Sequence, residues 1–219
     1  MAGRLAVIGA GLMGSGIAQV AAQAGWQVTL RDLDEASAQR GLGAIRASLE
    51  KFAAKGTITA DDVAAALDRI AVTTDLDAAA DADIVVEAVF ERLDVKRALF
   101  EKLEAVIGPD TIVSSNTSGL PISQLMEGRS PGFRRRFLVT HFFNPPRYMK
   151  LLELIAGPDT DPAVFARVRG FGEDDFRLGQ QYEITLQNPV TLEGTFDERV
   201  TDFAGRKVKE ADPDIVKAL

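Results

Sequence analysis

The stretch Gly9-Ala10-Gly11-Leu12-Met13-Gly14 constrains this chain more than any other. It follows a short β-branched run, RLAVI, and opens a segment whose apolar residues Met13, Ile17, Val20, Ala21 and Ala24 recur at helical spacing. Gly25 ends that segment and QVTLRD reads as a second strand, so strand, turn, helix and strand follow within about 30 residues, the size of a βαβ unit. In that setting G-x-G-x-x-G has a mechanical meaning. Gly9 admits a tight turn, Gly11 lets the backbone approach a pyrophosphate, and Gly14 lets helix and strand pack closely. The helix start, with Leu12 and Met13, offers free N–H groups and a positive dipole end to that anion.

Asp32 closes the second strand, 18 residues after Gly14, near the roughly 20 expected of a carboxylate that hydrogen-bonds an adenosine ribose. It would repel a 2′-phosphate, which favours NAD over NADP; Arg31 beside it argues the other way. The competing reading is an ordinary glycine-rich turn with Asp32 as a solvated charge.

Leu42, Ile45, Leu49 and Phe52 form the next apolar stripe, stopped by Gly56. A second helix is expected beyond it, with Thr59 as N-cap and Val63, Leu67 and Ile70 inside. This hairpin, about residues 42–70, interrupts the alternation of strands and helices. DIVVEAV is a continuous apolar run, as in strands buried on both faces of a parallel sheet. Leu93, Leu99, Phe100, Leu103 and Ile107 predict a helix, and TIVSSN and RFLVTHF two more strands. The expected fold is α/β, a doubly wound, mainly parallel sheet with an inserted helical hairpin, over residues 1–174. Past Asp174 the character changes: QYEITLQ alternates like a strand with one buried face, and the charged remainder is weakly helical. Residues 175–219 are therefore set apart as a divergent tail of unknown role.

Composition narrows the function. Twenty-five basic against 32 acidic residues give a net charge of −7, which argues against general affinity for nucleic acid or anionic membranes. The absence of cysteine excludes disulfides, thiolate nucleophiles and Cys-based zinc sites, and no metal site is expected. No apolar stretch approaches the roughly 20 residues that span a bilayer. A cytoplasmic protein is expected.

The chain contains one histidine, His141, at the end of the RFLVTHF strand. Open α/β sheets place their ligands there if that strand runs parallel to the first. Asn144-Pro145-Pro146 forces a turn, and the chain returns through MKLLELI, which can bring Glu153 beside the imidazole. A carboxylate on one ring nitrogen fixes the tautomer and raises the basicity of the other. That second nitrogen can then take a hydroxyl proton near neutral pH. A lone histidine is also commonly a capping or core residue.

Together, IGAGLMGSGIAQVAAQAG, VVEAVFERLDVK, SSNTSGLPI and HFFNPPRYMKLLELI resemble the NAD-binding Rossmann domain of the L-3-hydroxyacyl-CoA dehydrogenases of fatty-acid β-oxidation, over roughly residues 4–174. The wording is most similar to the branch fused ahead of an enoyl-CoA hydratase. The resemblance implies NAD as cofactor, an acyl-CoA substrate, His141 as base and Glu153 as its partner. It places Glu91 and Lys96 at the nicotinamide ribose, and Ser118 between the nicotinamide and the substrate oxygen, with Asn116 shaping that loop. The hairpin corresponds to the family's CoA-holding insert, with Ser48 and Lys55 on its matching positions. Seven residues apart, these two share a helix face, and a lysine can pair with a CoA phosphate; exposed polar residues of no special role have the same pattern. Arg134, Arg135 and Arg136 could attract CoA or be a solvated loop and strand edge.

The family's further helical domain of about 100 residues is not recognisable in this sequence. Nor is the segment resembling TPGFIVNR whose asparagine helps bind substrate; Asn188 stands in a different context. Three functions stay open: turnover of L-3-hydroxyacyl-CoA, NAD binding without turnover, or a related dehydrogenase acting on a small 3-hydroxy acid or a sugar acid. A homo-oligomer built through the tail is also open.

Overall fold

The computed structural model describes residues 3–149, 151–170 and 205–206. The chain divides after Arg169, and the fold below is that of the first unit. The expected strand at QYEITLQ, the weakly helical end, Asn188 and the boundary at residue 174 lie outside the described residues.

Seven strands form one sheet in the order β3-β2-β1-β4-β5-β6-β7. They are β1 (Arg4–Ile8), β2 (Gln27–Arg31), β3 (Ile70–Thr73), β4 (Ile84–Glu87), β5 (Ile112–Ser115), β6 (Phe137–Phe142) and β7 (Leu152–Ala156). All neighbouring pairs are parallel except β6 and β7. The order reverses at β1, which pairs with β2 on one side and β4 on the other, so a crevice opens beyond their carboxyl ends. The glycine turn follows β1, and Asn116 and Ser118 follow β5 at that edge, while His141 lies near the end of β6 and Glu153 near the start of β7 beside it.

Apolar residues cover both faces of the sheet. On one, Val7, Val28, Leu30 and Val86 pack against Ile17, Ala18 and Ala22 of α1 (Leu12–Gln23) and Ile45 and Leu49 of α2 (Glu35–Ala54). On the other, Ile8, Val85, Val113 and Phe137 meet Phe100 and Leu103 of α4 (Leu93–Val106). Burial of β4 and β5 throughout explains their unbroken apolar runs.

The β2–β3 crossover is the helical hairpin, α2 followed by α3 (Ala60–Asp68). Asp34 caps α2 by accepting from Ser37 N. Thr59 caps α3 in a reciprocal box with Asp62, where the sequence placed it. The expected limits of 42 and 70 need correction: α2 starts at Glu35, and Ile70 opens β3 instead of continuing a helix. Ile70 falls in phase with Val63 and Leu67, so a helical stripe ran through the strand's first residue. Three further helices were not anticipated: α5 (Ile122–Leu125), α6 (Pro131–Arg135) and α7 (Pro162–Gly170). Arg134 and Arg135 belong to α6, and Arg136 follows it, donating to the Gly108 and Thr111 carbonyls at 2.7 and 2.8 Å.

Candidate functional site

The glycine turn is shaped by close approach. Gly9 has φ +107°, and its N donates to Arg31 O at 2.8 Å. A Cβ on Gly14 would stand 1.7 Å from Gly9 O, whereas one on Gly11 would meet nothing within 4 Å. Gly14 thus lets α1 close on the turn, and Gly11 leaves open space over the first helical N–H groups, where a side chain would intrude. Leu12 is exposed, and Met13 half-buried. At the end of β2, Asp32 accepts Ala10 N and Leu33 N, both at 2.7 Å, and so stands against the turn. Arg31 is directed to Thr74 O at 3.0 Å. Backbone room for a pyrophosphate beside a strand-end carboxylate fits a dinucleotide.

A second group gathers beyond β5 and β6. β7 returns antiparallel to β6 with His141 directly opposite Glu153, and Nδ1 lies 2.8 Å from Glu153 Oε2. The other ring nitrogen, Nε2, lies 3.3 Å from Ser118 Oγ. With the carboxylate on Nδ1, the tautomer that leaves Nε2 as acceptor is the favoured one. Asn116 joins the two strand ends: its N donates to Glu87 O at 2.7 Å, and its Oδ1 accepts Phe142 N at 2.9 Å. It fixes the loop and does not contact the imidazole among the described hydrogen bonds.

Glu91 holds the Ser118 loop. Its Oε1 accepts Thr117 Oγ1 at 2.5 Å, Ser118 N at 2.9 Å and Gly119 N at 3.3 Å. Lys96 Nζ approaches Glu91 Oε2 at 3.2 Å and Glu87 Oε1 at 2.6 Å. Burial pushes the Glu91 carboxyl up, but the Thr117 hydroxyl, Lys96 and the Ser118 N–H together hold it below the usual carboxylate range. Lys96 is 1% exposed, so its ammonium sits behind Glu91. Glu87 was missed in the sequence; its signal was a lone carboxylate inside the apolar run DIVVEAV.

Ser48 is half-buried and Lys55 exposed, one at each end of the last two turns of α2. Between them on the same face, Phe52 meets the Tyr148 ring edge-on at 5.5 Å. Tyr148 lies in the β6–β7 connection, so the hairpin touches the histidine's neighbourhood through Phe52. Pro146 of that connection lies against Gly16 of α1, where a Cβ would come within 2.9 Å of it. Along the other side of Ser118, Leu120, Ile122, Val139 and Ile155 line an open groove of about 480 Å³.

Set against known proteins, residues 4–177 match the family described as 3-hydroxyacyl-CoA dehydrogenase, NAD binding domain. The 3-hydroxybutyryl-CoA dehydrogenase of Bradyrhizobium diazoefficiens is 38% identical over 189 residues, covering 86% of this chain and 63% of that protein. A Mycobacterium tuberculosis protein of the same name is 40% identical over 169 residues, covering 77% of this chain and 58% of that one. Among solved structures, a 3-hydroxybutyryl-CoA dehydrogenase from Escherichia coli has TM-score 0.75 and 37% identity, over 82% of this chain and 37% of that one. One from Ralstonia eutropha has TM-score 0.74 and 36% identity, over 78% of this chain and 59% of that one. The chain thus spans between about a third and two thirds of the length of these relatives. Among the described residues no helix is long and apolar enough to cross a membrane, and no cluster of His, Cys, Asp or Glu could hold a metal. The glycine turn with Asp32, the sheet order and the match over residues 4–177 make this chain a member of the 3-hydroxyacyl-CoA dehydrogenase family, as its NAD-binding domain.

Proposed function

We propose that this chain carries out NAD-dependent oxidation of L-3-hydroxyacyl-CoA to 3-oxoacyl-CoA, the dehydrogenation step of fatty-acid β-oxidation. The observation that carries this reading is the alignment Glu153 Oε2–His141–Ser118 Oγ, at 2.8 and 3.3 Å, at the carboxyl edge of the sheet that holds the glycine turn. NAD, when bound, accepts the hydride that leaves C3 of the substrate. His141 Nε2 takes the C3 hydroxyl proton, and Glu153 stabilises the imidazolium that forms. Ser118 Oγ donates to the substrate oxygen and orients it toward Nε2. Asn116 and Glu91 keep Ser118 in place, Glu91 faces the nicotinamide ribose with Lys96 bracing it from behind, and Asp32 takes the adenosine ribose. Ser48 and Lys55 on α2 contact the CoA moiety. The reading makes residues 1–174 one domain, has no role for nucleic acid, and places the chain in the cytoplasm.

A second reading, cofactor binding without turnover, is favoured by the openness of the site. The His141 and Glu153 side chains are 22% and 49% exposed, and water weakens the electrostatics such chemistry uses. A homo-oligomer or a further domain would cover them.

The test compares NADH oxidation by this chain with acetoacetyl-CoA and with free acetoacetate, beside a calorimetric titration of NADH. Turnover of the CoA ester well above that of the free acid supports the reading. NADH binding with no turnover of either substrate supports the second.

A further inference from the structure

Glu87 is 0% exposed and Lys96 1%. Burying such a pair is expensive, and apolar residues of the same volume often stabilise a fold equally or better. Stability alone therefore does not account for a carboxylate at the end of β4. What an apolar residue there could not do is hold its neighbours. Glu87 stands between Ile8 of β1 and Ser115 of β5, at the floor of the crevice. Its Oε1 accepts Lys96 Nζ at 2.6 Å and Val89 N at 2.7 Å, and its Oε2 accepts Ser115 Oγ at 2.5 Å. The carboxylate is thereby fixed by a strand, a loop and a helix at once.

From Glu87 the contacts run outward without a gap. Lys96, held at 2.6 Å, reaches Glu91 Oε2 at 3.2 Å. Glu91 Oε1 then gathers Thr117 Oγ1, Ser118 N and Gly119 N, and Ser118 Oγ meets His141 Nε2 at 3.3 Å. Glu91 has a side chain 44% exposed, so by itself it would be free to swing toward solvent. Lys96 restrains it, and Glu87 restrains Lys96. An ammonium has three donors on a flexible stem, and only a fixed buried acceptor gives it one direction.

We propose that Glu87 is a positioning residue of the dehydrogenase centre, which through Lys96 and Glu91 sets where Ser118 Oγ stands relative to His141 Nε2. The proposal rests on the reading of Ser118 and His141 given above.

One imidazole in the chain makes the test direct, because the His141 Hε1 proton gives a single histidine resonance. It is recorded by NMR in the full chain for the wild type, Ser118→Ala and Glu87→Gln, with folding checked by circular dichroism. In folded Glu87→Gln the resonance is expected to move in the direction Ser118→Ala moves it, by at least half as far. With acetoacetyl-CoA, kcat should fall on the order of tenfold while KM stays within about twofold, as for a small misplacement of a reacting group. A resonance that stays at its wild-type position in folded Glu87→Gln while Ser118→Ala shifts it overturns the proposal. If Glu87→Gln does not fold because Lys96 loses its buried counter-charge, the double variant Glu87→Gln/Lys96→Met removes both charges. The same shift is expected there, and its absence is equally decisive. A wild type that reduces no acetoacetyl-CoA overturns the functional reading; the resonance comparison needs no turnover and still decides whether Glu87 places Ser118.

Discussion

His141 and Glu153 face each other across the antiparallel pair β6–β7, with Nδ1 and Oε2 2.8 Å apart. The register of two strands sets this contact, so the carboxylate's position does not depend on a mobile loop. Glu153→Gln keeps the shape but removes the charge that favours the imidazolium. Turnover of acetoacetyl-CoA should fall, by up to about 10⁴-fold as when the carboxylate behind a catalytic histidine becomes an amide, with NADH affinity by calorimetry unchanged. Equal loss of both would assign Glu153 to cofactor binding.

Gly14 and Gly11 should respond oppositely to the same change. In Gly14→Ala the new Cβ falls 1.7 Å from Gly9 O, a backbone atom that cannot step aside without moving β1 or α1. A loss of about 1–3 kcal/mol or more is expected, read as a lower midpoint in urea. In Gly11→Ala the Cβ enters open space, so the fold should keep its stability while NADH affinity drops.

Asp32 Oδ2 accepts Ala10 N and Oδ1 accepts Leu33 N. Asp32→Ala removes the negative charge that would meet a 2′-phosphate. NADH should bind more weakly and the preference over NADPH should shrink, measured by titrating both. An unchanged preference would remove Asp32 from the ribose site.

Much of this was legible in the sequence because the signals were local. The glycine turn, the Thr59 cap and the apolar runs of β4 and β5 each follow from residues within a few positions of one another. The meeting of His141 and Glu153 was legible only as an opportunity, since two prolines force a turn but do not set register. What escaped depends on tertiary context. β3 is four residues long and begins in phase with a helical stripe, so its partner β2 decides its state. The first two turns of α2, Glu35 to Gly41, carry no large apolar residue; the helix is started by the Asp34 cap. Gly41 there lies against Ala10, where a Cβ would come within 2.7 Å of its carbonyl oxygen. Glu87 looked like an interruption of a strand because Lys96, Ser115 and Val89 N meet it only in the folded sheet.

Acid should loosen the Ser118 loop. The Glu91 carboxyl lies below its ordinary value of 4.5, so the folded chain binds that proton less readily than the unfolded one. The sign follows: the contribution is present above about 4.5 and is lost as pH falls through the lowered folded value. Partial exposure of Glu91 keeps it modest. In Glu91→Gln the urea midpoint should fall less steeply than the wild type's as pH drops below 4.5. Parallel acid limbs would contradict the lowered value.

The central claim is that the chain's one imidazole takes the substrate proton. The most direct measurement is the rate of NADH loss with acetoacetyl-CoA for the wild type and His141→Ala, with NADH affinity determined on the same samples. The account predicts a rate about 10² to 10⁴-fold lower in His141→Ala at nearly unchanged affinity. Equal rates in the two proteins would contradict it.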